Sequence, residues 1–426
     1  MRVLLTTFAA TSHLYNMVPM AWALHTAGHE VCLASHPDMV TTLERTGLPS
    51  FCVGRQMLDD DDLATSDSGS FFDNLEFDFN KHVPDEMTLE YLQGVFAVFG
   101  GLVFPYSASD ATMDDMVSFA LDWQPDLVLW DPYTFFGPVA AAACGAAHAR
   151  MLIGLDFIAC MRTVFLDRIA GQPEGVRDDP MAEWLTWTMA RFGREYNEEL
   201  VLGQWTIDSM PNSMRFPVDL HYVPVRYVPY NGAVAVPSWI YQPPKLDRLC
   251  LTFGVSNRDA GINNQTVISR TLEALADLDI EVIATVNSDQ LGSVTEVPEN
   301  VRVEEFVPLQ ALLPTCSAVI HHGGIGTFGT ALVNGVPQLI VNSRPDNFPD
   351  PGFMARYIDS NGAGKGLECD QLSVDTLRST IRRLVEDRSF RAGAARLRAE
   401  AMTAPSPNDV IPTLERLTSE HRRDGR

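Results

Sequence analysis

The stretch Val319-Ile320-His321-His322-Gly323-Gly324-Ile325-Gly326-Thr327-Phe328-Gly329-Thr330 constrains this chain more than any other. Ala318 to Ile320 read as the end of a buried strand. The glycines read as a tight turn, and Thr327 to Val333 as the first turns of a helix. Strand, glycine loop and helix in that order belong to a wound α/β sheet. A helix N-terminus carries unsatisfied N–H donors and a partial positive charge, and glycines remove the Cβ atoms that would hold a phosphate off that backbone. The stretch therefore reads as an anion site, a diphosphate above all, with His322 as an added donor.

The same letters contain G-x-G-x-x-G at Gly324, Gly326 and Gly329, which alone is a weak dinucleotide-binding signal. Asp346 then stands about where a ribose-binding acid is sought. Against that reading, the motif falls late in the chain. The opening strand and turn, Met1 to His13, contain no glycine, and a His-His pair has no part in a dinucleotide fingerprint. A glycine turn that binds nothing is the plainest alternative.

At 426 residues the chain is long enough for two domains. No apolar run reaches membrane-spanning length, and Met1-Arg2-Val3-Leu4-Leu5-Thr6 reads as a first strand rather than a signal peptide. Seven scattered cysteines show no metal-ligand spacing; they fit reduced thiols and a cytoplasmic protein. A net charge of -24 argues against nucleic acid or an anionic membrane as partner.

From the start, Val3–Thr6 is a strand, Thr11-Ser12-His13-Leu14 a turn, and Met17–Ala27 a helix closed by Gly28. Glu30–Ala34 is the next strand. His13 thus falls at the carboxyl edge of a wound sheet, where ligands bind. Asp59 to Asp85 read as a long acidic loop, whose aromatics Phe71, Phe72, Phe77 and Phe79 suit an apolar pocket or a protein contact. Asp126–Pro132 holds a strand that leaves Asp131 at its carboxyl end, either orienting an imidazole or capping the next helix. Trp184, Trp187, Phe192 and Tyr196 recur at helical spacing and read as a core stripe. These signals predict four segments: an N-terminal wound domain over 1–230, which the resemblance given below makes the acceptor-binding one, a Pro- and Gly-rich linker over 231–247, and a second wound domain over 248–404. A C-terminal helix over 405–426 is expected to return to the first domain.

With these residues in view, the chain resembles the GT-B-fold glycosyltransferases of family 1, of the actinomycete macrolide type that attaches deoxyaminosugars. His321-His322-Gly323-Gly324 with Gly326-Thr327 matches their diphosphate loop. Ser12-His13-Leu14 with Val18-Pro19, Asp126–Trp130, Ala182–Thr188, Gly203–Asp208, Phe306-Val307-Pro308 and Ala311–Pro314 resemble the desosaminyl-, mycaminosyl- and forosaminyl-type transferases. The resemblance implies an α/β GT-B fold, two Rossmann-like domains facing each other across a cleft. It implies inverting transfer of a deoxy(amino)sugar from a dTDP-sugar to a hydroxyl of a macrolide or related polyketide. No cofactor is expected; the dTDP-sugar is a co-substrate and no metal is needed.

The same resemblance assigns roles. His13 is the general base, held by Asp131. Phe306 and Val307 read the thymine through their backbone. Gly254, Ser256, His322, Gly324, Ile325, Gly326 and Thr327 hold the diphosphate. Asp346 and Asn347 face the sugar, Asn347 standing where the family commonly has Gln. Expected partners are an auxiliary protein, a haem-less homologue of haem-thiolate monooxygenases, and a second copy in a homodimer. The competing readings are an NAD-dependent oxidoreductase, resting on Gly324, Gly326 and Gly329, and a non-catalytic nucleotide-sugar-binding subunit with His13 structural.

Overall fold

The computed structural model describes residues 1–57, 81, 85–255, 264–292, 294, 296–342 and 350–422. The acidic loop expected at Asp59–Asp85 falls almost wholly outside the described residues. Among these residues the chain divides into two units. One runs to Arg226 and takes in the segment from Pro405 onward; the other runs from Tyr227 to Ala404.

The first unit is built on seven parallel strands: β1 (Arg2–Thr6), β2 (Glu30–Ser35), β3 (Ser50–Cys52), β4 (Leu127–Trp130), β5 (Ala147–Met151), β6 (Trp205–Asp208) and β7 (Tyr222–Pro224). Their order is β3-β2-β1-β4-β5-β6-β7. Leu5 pairs with Leu33 on one side and with Leu129 on the other. Every residue of β4 and β5 is buried, which suits strands covered on both faces. The order reverses between β1 and β4, so the loops leaving these two strands open a crevice at the carboxyl edge.

Three expectations change here. The Thr11–Leu14 stretch is the first turn of the Thr11–Thr26 helix rather than a turn before it. Ala10 is extended and its carbonyl takes the N–H groups of His13 (3.0 Å) and Leu14 (3.2 Å), so the helix starts as soon as the strand's chain has turned. The aromatic stripe is not a core stripe. In the Pro180–Arg191 helix the buried residues are Met181, Leu185, Thr188 and Met189, while Trp187 is 65% exposed. Trp184 lies at the rim, its ring 5.4 Å from that of Phe135. Finally, one helix, Leu89–Ser107, is long and apolar enough to cross a membrane by length and composition. A π-helical segment, Phe99–Val103, joins its two parts into that length. Leu92, Val95, Phe96, Phe99, Val103 and Phe104 are buried within the unit, and Gly100 packs against the Pro180 carbonyl, so this helix is a wall of the core.

Arg162 ties these helices together from a fully buried position. Its guanidinium donates twice to Asp179 (2.8 and 2.7 Å) and through Nε to Glu198 (3.1 Å), between the rings of Phe96 and Phe165. On β5, Arg150 makes the same kind of bidentate pair with Asp156. The Ile411–His421 helix lies in this unit: the His421 ring is 5.5 Å from Trp205 and Glu415 pairs with His29 at 3.2 Å.

The second unit has six parallel strands: β8 (Arg248–Thr252), β9 (Glu281–Thr285), β10 (Val301–Glu304), β11 (Ala318–His321), β12 (Gln338–Asn342) and β13 (Gly364–Glu368). Their order is β10-β9-β8-β11-β12-β13. Alternate residues serve two cores. Leu249, Leu251, Phe253, Ala318, Ile320, Leu339 and Val341 face one, against the Gln265–Leu275 and Val374–Glu386 helices. Cys250 and Val319 face the other, with Ala331 and Val336.

Candidate active site

In the first unit the crevice holds a histidine and a carboxylate. The β1 chain ends in Thr7 and Phe8, and the helix that follows presents His13 from its first turn. The β4 chain ends in Asp131, which is fully buried. His13 Nδ1–H donates to Asp131 Oδ2 at 2.5 Å, while Asp131 Oδ1 accepts the Tyr133 N–H at 3.0 Å. Asp131 therefore bonds the His13 imidazole and does not cap the Phe136–Cys144 helix, which has Phe135 at its N-cap and no side-chain cap. The His13 side chain keeps 16% of its surface. The rings of Phe8 and Tyr133 stand 5.2 and 5.8 Å from its ring, so two aromatic side chains flank the imidazole.

In the second unit the carboxyl ends of β8, β10 and β11 bring Gly254, Phe306, Val307 and the His321–Thr327 loop to one sheet edge. The Ile325–Asn334 helix starts here. Gly324 is its N-cap, extended at φ -67° and ψ 135°, and among the described residues no side chain caps the end. Its first N–H groups are therefore available to an anion. His322 lies flat against Phe253, with rings 6.4 Å apart and 21° between planes. A Cβ at Gly254 or Gly324 would come within 2.6 or 2.7 Å of that ring, so both positions must be bare. The His322 Nδ1 is buried and has no partner among the described residues, and burial pushes the imidazole down to about 4. The neutral imidazole thus stands beside a helix end that carries positive potential. Ser256, Asp346 and Asn347 lie outside the described residues.

Two residues here escape the sequence reading. Gln338, at the start of β12, bonds His321 at 2.9 Å. Tyr227 lays its ring 2.9 Å from where a Gly329 Cβ would stand, and its hydroxyl donates to the Gly326 carbonyl at 3.3 Å. The third glycine of the G-x-G-x-x-G letters therefore makes room for a tyrosine. That accounts for the motif without a dinucleotide.

This architecture recurs in solved structures. The chain aligns with glycosyltransferase VinC, crystallised in complex with dTDP, at a TM-score of 0.87 and 38% identity over 99% of this chain and 100% of that one. By its fold and site, this protein is a glycosyltransferase of the GT-B type. The model for the N-terminal domain of erythromycin biosynthesis protein CIII-like proteins matches residues 22–254, and the one for their C-terminal domain residues 269–417. The chain belongs to that family, the erythromycin biosynthesis protein CIII-like transferases. It is 48% identical to aclacinomycin-T 2-deoxy-L-fucose transferase of Streptomyces galilaeus, over all of this chain and 98% of that protein. It is 44% identical to tylactone mycaminosyltransferase of Streptomyces fradiae, over 99% of this chain and 93% of that protein. The oxidoreductase reading falls with these matches.

Proposed function

We propose that this chain transfers a deoxysugar from a dTDP-sugar to a hydroxyl of a polyketide aglycone, in the cytoplasm, inverting the anomeric carbon and using no metal. The observation that carries the chemistry is the His13–Asp131 hydrogen bond at the switch point between β1 and β4. With its proton held at Nδ1, the imidazole offers the Nε2 lone pair to an acceptor hydroxyl. That oxygen bonds to the anomeric carbon as the carbon–oxygen bond to the diphosphate breaks, and the proton passes to Nε2. The leaving diphosphate gathers charge at the open end of the Ile325–Asn334 helix, where Gly324, Ile325, Gly326 and Thr327 offer N–H groups beside His322 and Gly254. The backbone at Phe306 and Val307 reads the thymine; Ser256 completes the diphosphate contacts, and Asp346 and Asn347 meet the sugar. A donor bearing an amino group suits Asp346. The dTDP-bound relative supports the nucleotide. The relatives named for 2-deoxy-L-fucose and mycaminose support a deoxysugar, with an aminosugar as the finer reading.

The test pairs binding with turnover. Purified protein should bind dTDP in preference to UDP and NAD, and should glycosylate a polyketide aglycone from a panel of dTDP-deoxysugars. The finer reading adds the haem-less auxiliary protein and a homodimer; rates with and without the auxiliary, and the mass in solution, decide those. His13→Ala should lose at least about a hundredfold in turnover and keep its dTDP affinity. A rate within a few-fold of wild type removes His13 as the base.

A further inference from the structure

We propose that Gln338 is a positioning residue for the diphosphate loop, acting through His321 on the Gly323 peptide. The inference rests on the reading of this loop as the dTDP site. The β11–β12 register pairs Val319 with Gln338 and His321 with Ile340. Side chains alternate along parallel strands, so His321 and Gln338 share one face of the sheet, one step apart. Both are buried, at 0% and 2% exposure.

The hydrogen bonds fix the proton. Gly323 N–H donates to His321 Nδ1 at 3.1 Å. A backbone amide can only donate, so Nδ1 carries a lone pair and the ring proton sits on Nε2. That N–H needs an acceptor, and Gln338 Oε1 provides it at 2.9 Å. Burial, and then the neighbouring His322, hold the His321 imidazole down at about 3, which keeps the ring neutral and the three-member chain intact. The last link sets the loop. Gly323 has φ +92°, and a Cβ there would meet Pro351 Cβ at 2.6 Å. The peptide that His321 grips is the one that turns the chain into Gly324 and the open helix end. Without the Gln338 acceptor the proton can move to Nδ1, where it faces the Gly323 N–H. Two donors in contact drive that peptide round, and the helix N–H groups lose the aim that anion binding requires. A glutamine serving only to fill the core would have no such selectivity for the diphosphate.

The experiment compares wild type with Gln338→Met, which keeps length and removes the acceptor, using dTDP and thymidine as probes. Nitrogen-15 NMR of the free wild-type protein should show His321 as the Nε2–H tautomer, and Gln338→Met should lose that fixed signature. The Kd for dTDP should rise about tenfold, the weight of roughly one buried hydrogen bond, while that for thymidine stays within about twofold. Gln338→Glu, which returns an oxygen acceptor, should recover most of the dTDP affinity. An Nδ1–H tautomer in wild type overturns the proposal without any variant. So does a Gln338→Met protein that binds dTDP as wild type does, or one that weakens for both probes alike. A wild-type protein that binds no dTDP overturns the site reading itself, and the proposal with it.

Discussion

Asparagine at position 131 would separate the charge of the His13–Asp131 pair from its shape. Asp131 Oδ1 accepts the Tyr133 N–H at 3.0 Å, and that amide can only donate. In Asp131→Asn the amide oxygen stays there and the NH2 group turns to His13. His13 Nδ1 must then accept, and its proton moves to Nε2, where the acceptor hydroxyl needs a lone pair. The charge is lost as well. In the transition state an imidazolium faces a buried carboxylate, their charge centres roughly 4 Å apart. At an effective dielectric constant of about 20 that attraction is about 4 kcal/mol, or about a thousandfold in rate. The expected kcat is therefore down about a thousandfold, and the dTDP affinity is unchanged because the donors proposed for the diphosphate, Gly254 and His322–Thr327, belong to the other unit. Product formation at saturating donor gives the rate and calorimetry the affinity. A kcat within about tenfold of wild type in a folded variant refutes the argument. So does a loss of dTDP affinity that matches the loss of rate.

Gly329→Ala places a methyl 2.9 Å from the Tyr227 ring; overpacking of this kind costs about 1–3 kcal/mol. Calorimetric unfolding should record that loss, and Tyr227→Ala in the same chain should remove most of it. Arg162→Met leaves the carboxylates of Asp179 and Glu198 without their buried cation. The cost should be about 3 kcal/mol, the low end for a broken buried pair because the Glu198 side chain is 37% exposed; urea titration measures it. Acid should weaken the second unit. His321 and His322, at about 3 and about 4, lie below their ordinary 6.5, so the unfolded chain binds more protons and stability is lost as pH falls below 6.5. At pH 5 each should cost about 2 kcal/mol. His321→Asn should flatten that dependence. Asp208, raised to about 6 by burial, acts in the opposite sense but in the first unit.

The wound sheets are legible in the sequence because their strands are short apolar runs followed by turn residues, and parallel strands covered on both faces need little else. Val3–Thr6, Glu30–Ala34 and Arg248–Thr252 read directly from that pattern. The α-helical aromatics of the first unit mislead for a physical reason. Spacing reports which residues share a face, not which face is covered. In Pro180–Arg191 the covered face belongs to Met181, Leu185 and Met189, and the tryptophans take the rim. The Leu89–Ser107 helix misleads in a second way, since one π-helical segment fuses two shorter apolar stretches into a length that neither has alone.

The site divides along the same line. Asp131 and His322 are legible because each follows the last residue of a strand, and His13 because it opens the helix that follows β1; carboxyl-edge position follows from chain order in a parallel sheet. Gln338 and Tyr227 are not so legible. Gln338 opens its strand, at the opposite edge, and matters only because the β11–β12 register carries it beneath His321. Tyr227 stands in a stretch rich in proline and glycine, and matters only because Gly329 leaves a gap for its ring. The glycine letters that suggest a dinucleotide are thus set by two neighbours. Gly324 yields to His322, Gly326 offers its carbonyl to Tyr227, and Gly329 yields to the Tyr227 ring. A spacing of glycines states where backbone must be bare. What it is bare for is decided by side chains outside the glycine spacing, and here these are a histidine two residues before Gly324 and a tyrosine about a hundred residues away, gathered around one helix end.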